Sequence, residues 1–155
     1  MNFILEFLYN FIDRATYFKV NLLNVYAKTP KKADIGSAGY DLYSIDDIAI
    51  EAHERRLVST GISVEIPRYY YLRVAPRSGL SVKGIDVGAG VIDSSYRGEV
   101  KVLLINNSDK VYFVQQGDRV AQLIMERCSN TNIVVSDEQL SATERGESGF
   151  GSTGL

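Results

Sequence analysis

The sequence holds a single cysteine, Cys128, a single histidine, His53, and no tryptophan. One cysteine excludes an intrachain disulfide and points to a reducing, intracellular setting, cytoplasm or nucleus. One histidine beside one cysteine argues against a zinc site and against a Cys/His nucleophile pair. No basic excess exists either: the formal net charge is −2, so nothing draws the whole chain to nucleic acid or to an anionic membrane. A polyanion would have to be held by a local cluster of arginines. No apolar run is long enough to span a bilayer. A secretory signal is not indicated, because the start lacks basic residues and a small-residue cleavage site. Asn106-Asn107-Ser108 matches a glycosylation sequon, which counts for little without secretion. No GxxxxGK[ST] follows a strand, so a Walker-type NTPase is unsupported. With 155 residues, one domain with a proper core is expected.

What is present begins with an amphipathic segment, residues 1–17. Phe3, Ile4, Phe7, Leu8, Phe11, Ile12 and Ala15 share one stripe at helical spacing, with Asn2, Glu6, Asn10 and Asp13 opposite. This predicts a helix that docks on its own or a neighbouring subunit, or else on a membrane surface or partner. From Phe18 to Cys128 the texture is β. Short alternating runs at 48–50, 55–59, 61–66, 69–75, 99–106, 111–114 and 117–127 are separated by turn residues. That pattern predicts an all-β sandwich, jelly roll or barrel, with one short helix near Ser78–Val82. Residues 129–155 lose the apolar pattern and end in a glycine-rich stretch, a third region that cannot bury enough surface to order itself.

Three stretches carry chemistry. Ile85–Glu99 reads as a tight hairpin in which Gly88, Ala89 and Gly90 lead into Val91–Ile92 and then Asp93. Glycine there lets a ligand approach the backbone, and Asp93 either acts on that ligand or merely caps the turn. Pro76-Arg77-Ser78-Gly79 places a guanidinium and a hydroxyl at a helix start, which suits an anion; alternatively Ser78 is an ordinary N-cap. In Gly117-Asp118-Arg119, with Gln122 following, the amide is available to a phosphate, or the Asp and Arg form a weak surface pair. The tail is either a disordered end or a lid. Its backbone NH groups could wrap phosphate oxygens, Arg145 could add charge, and Phe150 could stack on a flat ring.

Five segments, AGYDLYS (38–44), PRSGLS (76–81), GVIDSSYRGE (90–99), GDRVAQLI (117–124) and RGESGFGSTG (145–154), resemble in order and spacing the five motifs of the trimeric deoxyuridine triphosphatases (dUTPases). The resemblance spans residues 18–155. It implies a distorted jelly-roll subunit of a homotrimer with three active sites between chains. Each site would take its walls from two subunits and its lid from the tail of the third. The reaction implied is dUTP plus water to dUMP and pyrophosphate, with Mg²⁺. It would clear dUTP from the nucleotide pool and supply dUMP for thymidylate synthesis.

Residue by residue, the resemblance implies that Asp93 is the base that deprotonates the water attacking the α-phosphorus. Such a loose transition state asks mainly for positioning and charge neutralisation. The backbone of Gly90, Val91 and Ile92, with main-chain help from Lys101, would read the uracil edge. Tyr96 would pack under deoxyribose and leave no room for a 2′-hydroxyl. Arg77, Ser78, Gly79 and Gln122 would bind phosphates of the adjacent subunit's substrate. Asp41 would reach the metal through water. Arg145, Gly151, Ser152 and Thr153 would belong to the γ-phosphate lid, with Phe150 over the base. Ser95 departs from the family, where Asp is common. The rivals are a dCTP deaminase of the same fold, which releases ammonia, and a non-catalytic nucleotide-binding or protein-interaction module.

Overall fold

Period-two alternation becomes strands that share one core. The computed structural model describes residues 17–129 and 131–148. The expected N-terminal helix, on residues 1–16, and the expected lid residues Phe150, Gly151, Ser152 and Thr153 lie outside the described residues. Within them the order is β1 (Lys19–Leu22), β2 (Tyr40–Tyr43), β3 (Ile48–Ile50), β4 (Arg55–Glu65), β5 (Tyr70–Ala75), α1 (Ser78–Ser81), β6 (Ile85–Gly88), β7 (Val91–Ile92), β8 (Glu99–Asn106), β9 (Tyr112–Val114) and β10 (Arg119–Arg127). No helix among these residues is long and apolar enough to cross a membrane.

The strands form two four-stranded sheets, β1-β4-β8-β6 and β2-β10-β5-β7, and a two-stranded β3-β9 pair. Among the described residues the fold is all-β with one short helix, as expected of a jelly roll. β8 shows how the sequence builds it: Val100, Val102, Leu104 and Asn106 are buried while Lys101 is exposed, the signature of a strand with one face inward. Leu42, Leu72 and Leu123 of the second sheet join Val58, Ile62, Val102 and Leu104 of the first in one cluster. Each such side chain contributes roughly 1.5–3 kcal/mol when fully buried.

Asn106 is the polar exception in that interior, 0% exposed. Its amide nitrogen donates to the carbonyls of Ile50, Glu51 and Lys110. Its oxygen accepts from the Ser108 backbone and hydroxyl. The sequon asparagine is therefore a structural knot between β8 and the β3–β4 turn, enclosed within the fold.

Two local expectations are corrected. The runs 55–59 and 61–66 are one strand, β4. Gly61, at φ +66°, makes a bulge rather than a turn, and the register against β8 shifts between Ser59 and Ser63. The Ile85–Glu99 stretch is not a hairpin of mutually paired arms. β6 pairs with β8 in the first sheet, whereas β7 pairs with β5 in the second. The Asp93–Gly98 turn carries the chain from one sheet to the other.

Candidate active site

That crossing opens a cleft of about 320 Å³ lined by Val91, Ile92, Asp93, Tyr96, Glu99 and Lys101 among others. β7 is the last strand of its sheet, so one rank of its backbone groups has no strand partner. Across from it, β6 pairs only with Leu103–Asn106 of β8. The first half of β8, including Lys101, therefore also keeps one backbone edge unpaired. Two open main-chain edges border one cleft, which is what a backbone reader of a flat polar ligand needs.

Glycine is required at position 90 for a steric reason. A Cβ there would stand 2.5 Å from the Val74 carbonyl oxygen, and the Gly90 carbonyl accepts from Val74 N–H at 2.7 Å. Ala89 beside it adopts φ +48°, a left-handed conformation uncommon for a residue with a side chain. At the mouth, the Asp93 carbonyl accepts from Tyr96 N–H at 3.0 Å, closing a turn. The Asp93 carboxylate is exposed and takes no hydrogen bond from the described residues. The Tyr96 hydroxyl donates to the Glu99 carbonyl at 3.0 Å. Arg97 donates to the carbonyls of Ser94 and Tyr96, which stiffens the turn and turns its guanidinium back upon the chain.

A second concavity, about 230 Å³, is lined by Asp41, Arg77, Ser78, Gly79, Arg119 and Gln122 among others. The half-buried Asp41 carboxylate lies between two guanidiniums, with Arg77 Nε 3.0 Å from Oδ1 and Arg119 Nη1 3.2 Å from Oδ2. Arg77 also donates to the Arg119 carbonyl at 3.3 Å. Two positive charges on one negative leave a net positive pocket, suited to phosphate oxygens. Gln122 donates to the Pro76 carbonyl at 3.0 Å, so its amide oxygen remains on the pocket side of the bond. α1 begins after Arg77 with no side-chain cap, so the expectation of a Ser78 N-cap does not hold. The open N-terminal N–H groups stay available in a pocket that wants donors.

The structure thus groups Asp93, Val91, Ile92, Tyr96 and Lys101, and separately groups Asp41, Arg77, Ser78, Gly79 and Gln122. No residue lines both pockets. Arg145 joins neither: its guanidinium donates to the Ser148 carbonyl at 2.9 Å within its own turn. Two residues escaped the sequence reading as pocket residues. Arg119 enters it only as the alternative surface pair with Asp118, but Asp118 accepts from Gln115 N–H, and Arg119 reaches Asp41. Glu99 lines the first cleft, and only its place two residues after Arg97 could have flagged it.

As to metals, no cluster of three or more acidic, His or Cys residues suited to hold an ion occurs among the described residues. Asp41 fits an outer role: each oxygen takes one guanidinium and keeps a lone pair that can accept from a metal-bound water.

Comparison with known proteins places the chain in a family. The dUTPase family model matches residues 25–154. The deoxyuridine 5′-triphosphate nucleotidohydrolase of Candida albicans is 55% identical over 138 residues, covering 88% of this chain and 87% of that protein. The Monkeypox virus protein of the same name is 51% identical over 129 residues, covering 83% of this chain and 85% of its own. Among solved structures, a Staphylococcus bacteriophage 80alpha dUTPase mutant with dUpNHpp superposes with a TM-score of 0.84 at 27% identity, covering 90% of this chain and 99% of that one.

Proposed function

Because this chain belongs to the dUTPase family, we propose that it hydrolyses dUTP to dUMP and pyrophosphate by attack of water on the α-phosphorus. The observation that carries the reading is the cleft bounded by the open edges of β7 and β8 with Asp93 at its mouth. Asp93, exposed and without a hydrogen bond from the described residues, is free to orient and deprotonate a water.

Base selection follows from the two main-chain edges. Gly90, Val91, Ile92 and Lys101 present fixed donors and acceptors, and a cytosine amino group where uracil has O4 would leave buried groups unpaired. A thymine methyl would clash with the closely approaching β7. Tyr96 forms the floor under deoxyribose. Arg77 and Arg119 neutralise charge on the triphosphate, and Ser78, Gly79 and Gln122 donate hydrogen bonds to it. Mg²⁺, when bound, supplies charge neutralisation on phosphate oxygens while keeping several waters, and Asp41 would hold it through one of those waters. The glycine-rich tail, with Arg145, Phe150, Gly151, Ser152 and Thr153, closes over the base and γ-phosphate. This activity would keep dUTP low and provide dUMP.

The working unit in this reading is a homotrimer with shared sites. Its support is that the base cleft and the phosphate pocket share no lining residue in one subunit. Ile133, Val134 and Val135 of the arm are also almost fully exposed, a run of β-formers that calls for cover. Residues 1–17 are then an extension, 18–128 the core and 129–155 the arm.

The test is pyrophosphate release with Mg²⁺ from dUTP, UTP, dTTP and dCTP, with ammonia assayed alongside. Pyrophosphate from dUTP alone supports the reading. Ammonia from dCTP would make the chain a deaminase, and dUTP binding without turnover would make it a binding module.

A further inference from the structure

Besides Asp93, one other carboxylate lines the base-and-sugar cleft, that of Glu99. Its position is determined by the β4 bulge. The register shift there takes Gly61 N–H out of the strand ladder, and Glu99 Oε1 accepts it at 3.0 Å. A partly buried N–H without an acceptor would be costly, so this carboxylate is committed. Its second oxygen stands 3.5 Å from Lys101 Nζ, on the same face of β8. The carbonyl of the same residue accepts the Tyr96 hydroxyl. The Tyr96 ring in turn lies so close over Gly98 that a Cβ there would collide with its hydroxyl. The ring has a floor at Gly98 and an anchor at Glu99, and the anchor is itself moored to β4.

We infer that Glu99 is a positioning residue that holds the Tyr96 ring in place and so sets discrimination between deoxyribose and ribose. The inference rests on the cleft being the dUTP site. Glu99 acts through Tyr96 and touches no reacting atom. If it served only to cap the bulge, its loss would lower stability and weaken every nucleotide alike. As a positioner, its loss lets the ring tilt, so a 2′-hydroxyl gains room while deoxyribose loses contact.

The experiment is the ratio of kcat/KM for dUTP over UTP, measured on the full chain. The wild type is scored first, and failure to prefer dUTP there sinks the reading of the cleft itself. With that preference in hand, Glu99→Ala is expected to lower the ratio by about tenfold, because it keeps the carbonyl that holds Tyr96 but loses the Gly61 N–H bond that moors it, with kcat at saturating dUTP nearly unchanged. Glu99→Gln keeps an acceptor for Gly61 N–H and should restore the ratio. Glu99→Asp, one methylene shorter, should give an intermediate loss and serves if the alanine variant does not assemble. An unchanged ratio in the alanine or aspartate variant overturns the inference, as does a glutamine variant no better than alanine.

Discussion

Asp41 and Gln122 stand directly opposite each other across the β2–β10 ladder, while Gln122 also faces Ala75 on β5. One glutamine therefore ties the first, second and fourth sequence motifs into a single pocket. Gly39 makes this possible, because a Cβ at that position would lie 2.5 Å from the Gln122 Oε1. Gly39→Ala should displace the amide from Pro76. We expect a rise in KM for dUTP with a stability loss of about 1–3 kcal/mol, the usual cost of overpacking. Steady-state kinetics beside denaturant titration checks this, and an unchanged KM would free Gln122 from a role in binding.

Asp93→Asn removes a group that is exposed and takes no hydrogen bond from the described residues. Stability should stay within about 0.5 kcal/mol, while turnover drops by about a hundredfold or more, the share of a positioned base. Calorimetric titration with a non-hydrolysable dUTP analogue should show binding retained. Wild-type-like turnover would remove the base assignment.

Deleting residues 145–155 takes away the glycine-rich stretch and leaves every strand intact. Catalysis should collapse, and the mass measured by light scattering should remain that of a trimer. Full activity in the truncated chain would show that no lid is needed.

Asn106→Ala strips from a fully enclosed position an amide whose nitrogen serves three carbonyls and whose oxygen accepts from Ser108. Losing the amide's bonds, among them the one to the carbonyl of buried Ile50, costs about 1–3 kcal/mol, and the Ser108 turn is lost besides. The denaturation midpoint should fall with the selectivity among nucleotides unaltered. A neutral effect would mean that water replaces the amide.

Glu126 makes a pH-dependent contact in the second sheet. Its pKa is held below the ordinary value of 4.5, first by the Tyr71 hydroxyl and then by Arg73, whose Nε lies 2.6 Å away. A depressed folded pKa stabilises above the unfolded value, and that contribution is lost as pH falls through the folded one. Melting temperatures of the wild type and Glu126→Gln should differ near neutrality and converge in acid below the ordinary glutamate pKa. A gap that persists at low pH would assign the effect to packing.

Most strands and the one short helix were legible in the sequence, because alternation in runs such as Glu99–Asn106 reflects a single buried face. Gly61 misled: glycine signals turns and bulges alike, and only pairing with β8 decides which it is. Val91–Ile92 misled in another way. Its neighbours in sequence suggested a hairpin, yet its partners are Leu72 and Arg73. The Asp118–Arg119 surface pair, one of two readings of that turn, does not form, because adjacency is visible in a sequence and distance is not. The partner of Arg119, Asp41, lies 78 positions away.

The sequence by itself determined the chemistry: which groups are present, in which order, and the family they belong to. These are properties of residue type and spacing, and they need no partner to be read. The tertiary structure alone decided which backbone edges stay open, which guanidiniums share Asp41, and that Asp93 and Arg77 occupy different pockets of one subunit. Those outcomes depend on strand pairing between distant segments, where each contact is chosen by the burial of the whole core and not by the residues that meet.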